Sequence, residues 1–174
     1  EGAYRVPLIV RWPGKVAAGT ETDEPVTSVD FFPTLRAVSG QKPPANEELD
    51  GMNLLPLLVK KQPLRRKALY WHYPHYHHGG ASPHGVIRKD QYRLIEHFDG
   101  TPAEMYNIEA DIGETVNLVN TMPEKAKELL KELREWRREV GAQMPTINPD
   151  YDANRVHEAM FYHEWADRHR NKTK

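Results

Sequence analysis

Apolar residues recur along this chain at two periods, and the change of period marks out its elements. Leu69, Trp71 and Tyr73 alternate with Tyr70 and His72, the two-residue period of a strand. Pro74 brings no N–H and stops the ladder, so His75, Tyr76, His77 and His78 fall in a loop that Gly79, Gly80, Ser82 and Pro83 prolong. Gly85–Arg88 and Tyr92–His97 read as a hairpin around Lys89-Asp90-Gln91. Asp99-Gly100 offers another turn, and Glu104–Ile108 returns as a further strand. Such short connections predict an antiparallel meander, because a parallel sheet needs longer crossovers.

The period then lengthens. Ala126, Leu129, Leu130, Leu133, Trp136 and Val140 form a helical stripe suited to covering one face of the meander. Thr121 is positioned as N-cap, with Pro123 in the first turn and Glu124 three residues on, the pattern of a reciprocal capping box. Arg134, Arg137 and Arg138 favour the negative end of the helix, and Gly141 can close it. Leu133 and Trp136 are thus predicted structural supports. A looser stripe of Val156, Met160 and Trp165 predicts a terminal helix over Arg155–His169. Its His157, His163 and His169, spaced by six, do not share a helical face and suit an exposed tail better than a metal site.

Ahead of the meander, Tyr4–Trp12 reads as a strand with apolar residues of both parities, buried on both faces, although Pro7 favours an edge or its first part. Phe32, Leu35 and Val38 line one side of a helix over Phe31–Ser39, with Gly40 at its C-terminal end. Asp30 is its predicted N-cap, with a site carboxylate as the other role. Leu54, Leu55, Leu57 and Leu58 pin a short turn or helix to the core. The basic KKQPLRRK run then reads as a solvated connection, or as an anion contact through Arg65, Arg66 or Lys67.

The chain has 174 residues, 39% hydrophobic and 28% charged, enough for a core. No apolar run is long enough for a transmembrane segment. Twenty-four basic residues against 25 acidic ones argue against nucleic acid as an obligate partner. Cysteine is absent, which excludes disulfides, thiolate metal ligands and a cysteine nucleophile from this chain. The opening residues have no signal-peptide pattern and enter an apolar strand almost at once, as expected of a chain that begins inside a larger folded unit.

Six of the nine histidines lie between Ala68 and His97. His72, His75, His77 and His78 invite a zinc reading, but adjacent imidazoles on a loop and one on a strand are weak ligand spacing. An oxygen-rich substrate surface built from His72, Tyr73, His75 and His84, with Trp71 in support, is the sharper reading, beside plain structural hydrogen bonding. His97 suits a hydrogen-bond network within the sheet. Asp111, Glu114 and Asn117 look like turn and capping residues, without the pattern of a calcium loop. No acid–base pair can be assigned from spacing.

Taken in order, several short motifs add up. Glu1-Gly2-Ala3-Tyr4-Arg5-Val6-Pro7, Pro13-Gly14, Asp30-Phe31-Phe32-Pro33-Thr34-Leu35, Asp50-Gly51, ALYWHYPHY, Gly85-Val86-Ile87-Arg88, Tyr92-Arg93-Leu94-Ile95, Met105-Tyr106-Asn107 and Asp111 through Leu118 resemble the distal part of type I, formylglycine-dependent sulfatases of the alkaline-phosphatase-like superfamily. Ala3 and Ile112 depart from the family's usual glycine and proline. The resemblance covers most of residues 1–145 and implies an α/β fold: 1–65 as the distal part of a large α/β domain, 66–144 as a smaller antiparallel sheet packed by a C-terminal helix, and 145–174 as a terminal extension.

The same resemblance implies that the complete protein hydrolyses sulfate monoesters of a sulfated glycan or aryl substrate, with calcium and formylglycine as cofactors. It further implies a missing N-terminal portion as partner, and a periplasmic or exported bacterial location. The family's C/S-x-P-x-R motif and preceding aspartates are not in this sequence, so no catalytic or metal residue carries over and the chain alone is expected to be inactive. Arg5 is expected to support the sheet or the edge of the site. A carbohydrate-binding module and a structural accessory domain are the alternatives.

Overall fold

The computed structural model describes residues 5–42, 49–77, 81–152 and 154. They form two compact units that divide between Lys67 and Ala68. The expected terminal helix over 155–169 lies outside the described residues, as do His78, Gly79 and Gly80.

The second unit is the antiparallel meander. Strands β1 (Leu69–Tyr73), β2 (His84–Lys89), β3 (Tyr92–His97) and β4 (Glu104–Asn107) lie side by side in chain order. The β2–β3 turn is Asp90-Gln91, with Asp90 at φ 52, a left-handed conformation that Asp tolerates. Strand β4 stops at Asn107, but Ile108 still donates its N–H to Gln91 O (2.9 Å) and is buried. The alternation seen in the sequence sorts the side chains. Tyr70, His72, Gly85, Ile87, Leu94, Glu96 and Met105 share one face; Trp71, Tyr73, His84, Val86, Arg88, Arg93, His97 and Tyr106 share the other.

Helix α3 (Pro123–Glu139) packs on the first of these faces. Ala126, Leu129 and Leu133 meet Ile87, Leu94 and Met105 in one apolar core, and Trp136 stacks on Tyr70 with ring centroids 4.8 Å apart and planes 7° off parallel. Leu133 is fully buried in this core and Trp136 packs against it, whereas Val140 is exposed. Glu132 ties the rim of this core by accepting from Tyr70 Oη (3.0 Å) and Lys89 Nζ (2.6 Å). Burial alone would raise the Glu132 carboxyl; the bonds from Lys89 and Tyr70 outweigh it and hold the group below the ordinary carboxylate range.

The expected capping box is not formed. Met122 occupies the N-cap position, and the Thr121 hydroxyl instead donates to Leu118 O (3.2 Å). The helix starts one residue later than the motif placed it, so Thr121 is spent on closing the preceding turn. Arg137 and Arg138 stand in the last turn of the helix, as expected. Arg137 is also buried, bonds to Glu96 and lies over Phe98, its guanidinium carbon 4.9 Å from the ring centroid.

The first unit contains α1 (Phe31–Val38), entered through a 3-10 turn at Ser28–Asp30, and α2 (Leu55–Lys60). Gly40 follows α1 at φ 74, the left-handed residue expected after a helix end. Asp30 does not cap α1 with its side chain. Its carboxylate turns the other way and accepts from the N–H groups of Thr27 and Met52, both at 2.8 Å, and from Arg66. Arg66 also donates to Pro25 O (3.0 Å), so this member of the basic run is a fixed structural cation and not part of a solvated connection. Thr34 extends the hub by donating to Asp30 O and accepting from Leu54 N–H. Gly51 is obligatory beside it, because a Cβ there would stand 2.0 Å from Val29 O.

Residues 5–12 form no strand, contrary to the sequence expectation, and Val6, Leu8, Ile9 and Val10 are exposed. A strand exists only through its ladder, and no strand among the described residues pairs with this stretch. Phe32, Leu35 and Val38 do share a side of α1, but that side is exposed.

Candidate functional site

Register assembles the imidazoles that the sequence scatters. Tyr73 on β1 pairs with His84 on β2, and His84 pairs with His97 on β3, so the three rings form a row across the sheet on the face away from α3. Ring centroids are 5.8 Å apart for Tyr73 and His84 and 6.4 Å for His84 and His97. Beyond Pro74 the loop brings His75 and His77 back against Tyr73, at 5.8 Å and 6.2 Å, each meeting its ring edge to face. His77 N–H donates to Ala81 O (2.9 Å), which fixes the loop's return.

A chain of hydrogen bonds holds this row. Ser82 O accepts from His84 Nδ1 (2.7 Å), which sets the protonated nitrogen of the neutral ring. Ser82 Oγ lies 3.1 Å from His97 Nδ1, and His97 Nε2 lies 3.3 Å from Glu104 Oε1. Tyr106 Oη donates to Glu104 Oε2 (2.6 Å). Burial, followed by this bond to an anion, pushes the Tyr106 phenol up to about 12, so it stays a donor at neutral pH. His97 therefore has the role in a sheet network that its position suggested. Ser82, Glu104 and Tyr106 were not singled out from the sequence, although the His97 and Glu104 parities place both on the same face once β3 and β4 are paired.

Serine, imidazole and carboxylate in sequence suggest a nucleophile. The chemistry of the neighbouring residue argues otherwise: an attacking serine commonly relies on the next backbone N–H to hold the developing oxyanion, and the next residue here is Pro83, which has none. The network instead orients a polar and aromatic surface.

His72 is separated from that surface. It lies on the α3 face, with Nε2 2.7 Å from Gln143 O and its ring 5.4 Å from Phe98. Its position ties β1 to the segment that follows α3. Trp71 shares the Tyr73 face and pairs with the buried Val86. Arg5 is exposed and belongs to no element. Of the four residues expected to meet substrate, the structure brings together Tyr73, His75 and His84.

Asp111 accepts from the N–H groups of Thr115 (2.8 Å) and Val116 (2.9 Å), as a turn residue does, and the Val116 bond is the main cause holding its carboxyl below the usual range. Among the described residues, no three of His, Asp and Glu are grouped to hold a metal ion. No helix among them is long and apolar enough to cross a membrane.

Residues 1–143 match the family described as N-sulphoglucosamine sulphohydrolase, C-terminal. A sulfatase of Formosa agariphila is 32% identical over 151 residues, covering 78% of this chain and 27% of the relative. An N-acetylglucosamine-6-O-sulfatase of Bacteroides thetaiotaomicron is 33% identical over 146 residues, covering 80% and 26%. A solved structure of a protein in complex with its substrate D-glucosamine-2-N,6-O-disulfate superposes with a TM-score of 0.67 at 31% identity, over 77% of this chain and 28% of that one. The chain therefore spans about a quarter of the length of these two relatives.

Proposed function

This chain belongs to the family of N-sulphoglucosamine sulphohydrolase C-terminal regions, and we propose that it forms the C-terminal part of a sulfatase whose complete form hydrolyses sulfate monoesters of a sulfated glycan. The observation that carries the proposal is the family match across residues 1–143, supported by relatives named as sulfatases, one of them acting on N-acetylglucosamine 6-O-sulfate by its name. Sulfate-ester cleavage needs an activated nucleophile and a preorganised cationic site that strengthens toward the transition state. Formylglycine and calcium are the groups proposed for those roles. Formylglycine arises from the cysteine or serine of a C/S-x-P-x-R motif, which this sequence does not contain, and among the described residues no three of His, Asp and Glu are grouped to hold a metal ion. Both groups are accordingly assigned to polypeptide outside these 174 residues.

Within that reading, the chain's own contribution is recognition. Tyr73 presents an aromatic ring to a sugar face, and the imidazoles of His75 and His84 bond to its oxygens, held in place by the Ser82–His97–Glu104–Tyr106 network. His72 has a positioning role through Gln143. Export to the periplasm is part of the same proposal and is checked by cell fractionation.

The test is mass spectrometry and a sulfate-release assay on the native polypeptide that contains this chain. Formylglycine upstream and release of sulfate from sulfated glucosamine are expected, with no release by the 174-residue chain alone. A native polypeptide that carries neither the modification nor the activity would leave a carbohydrate-binding or accessory role in its place.

A further inference from the structure

Strand register sets two arginines against each other. Arg88 on β2 pairs directly with Arg93 on β3, so both side chains leave the sheet on the face away from α3. Like charges directly opposite across an antiparallel pair oppose folding. One of the two is compensated: Arg93 is buried and bonds to Glu114, whose backbone adopts φ 54 in the turn that presents it. No carboxylate among the described residues pairs with Arg88. Its Nε is buried and has no hydrogen bond. The guanidinium cannot shed its charge, and a buried donor of a charged group left unpaired is costly. The rest of its row offers no anion for it, since Leu69 is apolar and Tyr106 carries a neutral phenol that donates to Glu104.

We propose that Arg88 is an anion-contact residue that holds the sulfate group of an acidic sugar, at the end of the sheet face opposite the Tyr73–His84–His97 row. A guanidinium is matched to a tetrahedral oxyanion by its fork of donors, and an anion there relieves the repulsion from Arg93 while satisfying the orphaned Nε–H. The choice of a sugar-borne sulfate rests on the sulfated-glycan reading above; the unpaired cation does not. The same chemistry could be supplied by free sulfate or by a carboxylate elsewhere in the longer polypeptide, and the experiment separates these sources.

The 174-residue chain is titrated with sodium sulfate, glucosamine 6-sulfate, glucosamine and, at matched ionic strength, sodium chloride, with the arginine Nε–H resonances followed by NMR. Saturable shifts of the Arg88 signal are expected with both sulfated probes and neither control. Glucosamine 6-sulfate should bind at least threefold more tightly than the free ion. Arg88→Gln should weaken binding at least tenfold, and Arg88→Lys less. Without anion, Arg88→Gln should leave the urea midpoint unchanged or raised, because it removes a like charge; a lowered midpoint would overturn the proposal by showing that the arginine is already compensated. An unshifted Arg88 signal, or equal affinity for free sulfate and the sugar sulfate, also overturns it. Repeating the titration on the native polypeptide gives the last arm. Retained binding supports a ligand-borne sulfate, and loss confined to that longer chain assigns Arg88 to an internal carboxylate. Sulfate release is measured separately, so failure of this contact is distinguishable from failure of the sulfatase reading.

Discussion

The two units of this chain differ in what they bury most deeply. In the meander unit Ile87, Leu94, Met105, Leu129 and Leu133 are 0% exposed and form the core that α3 closes. In the unit before it, the most deeply buried side chain is Asp30, also at 0%, while Phe32 and Leu35 on α1 stand 52% and 65% exposed. The first pattern is that of a unit whose stability comes from its own apolar burial. The second sets a charged hub beside the buried Leu54 and Leu57 and leaves the apolar side of α1 exposed, the surface expected of a piece that completes its burial against something else. The difference explains why one half of the sequence could be read as a fold and the other only as a part.

Breaking the hub should produce the largest effect. Arg66 is held in a largely buried position by Asp30, so Asp30→Ala leaves a cation unpaired and strips two backbone N–H groups of their acceptor. Removing one partner of a buried ion pair costs about 3–5 kcal/mol. Hydrogen exchange should show the Thr27 and Met52 amides losing protection while those of β2 and β3 keep theirs. Retained protection at Met52 would mean that the carboxylate is not what holds this unit together.

Leu133→Ala tests the other kind of interior. Truncating a packed leucine costs about 2–5 kcal/mol through lost burial and the cavity left behind, and Leu133 sits fully buried among Leu94, Met105 and Leu129. The urea midpoint of the meander unit should fall, with the slope kept. An unchanged midpoint would remove the claim that this core stabilises the unit.

The sequence revealed these two interiors unequally, for a physical reason. Alternation and helical period are local, so β1 to β4 and α3 could be placed to within a residue or two from Leu69 to Glu139. The Asp30 hub depends on Met52 and Arg66, 22 and 36 residues away, which no local pattern announces. A cap was the natural reading of an aspartate before a helix. The stretch 5–12 has a strand's composition, yet a strand requires a partner. In the candidate site, the histidines were conspicuous by count, and the parity of β1 already placed His72 and Tyr73 on opposite faces. The network under His84 and His97 was not legible, because Glu104 arrives by register and Ser82 from the loop before β2.

A smaller effect belongs to the rim of the apolar core. Because the Glu132 carboxyl is depressed in the folded chain by Lys89 and Tyr70, it contributes stability above its unfolded value, and that contribution is lost as pH falls through the folded value. The Lys89 ammonium is raised, chiefly by its bond to Glu132, so its share is present at neutral pH and lost only as pH rises past the unfolded lysine range. Glu132→Gln should lower the urea midpoint at pH 7 by an amount equivalent to about 1 kcal/mol and flatten its fall on acidification. An acid limb as steep as that of the parent chain would assign the pH dependence to other carboxylates.

The smallest effect is the one that sharpens the comparison most. Leu35 is among the most exposed apolar residues of α1, so in the 174-residue chain Leu35→Ser should change stability by no more than about 0.5 kcal/mol, the usual range for surface substitutions. If the α1 surface completes its burial elsewhere in the proposed longer polypeptide, the same substitution there should cost about 2 kcal/mol or more, because a fully buried leucine contributes about 1.5–3 kcal/mol. Leu133→Ala should cost the same in both chains, since its neighbours are all present in the shorter one. Urea midpoints of four variants decide the matter: a Leu35 penalty that grows with chain length while the Leu133 penalty stays fixed identifies α1 as an interface and the meander as self-sufficient. A Leu35 penalty near zero in both chains would make its exposure a feature of the finished protein and turn the contrast between the two units into one of surface composition alone.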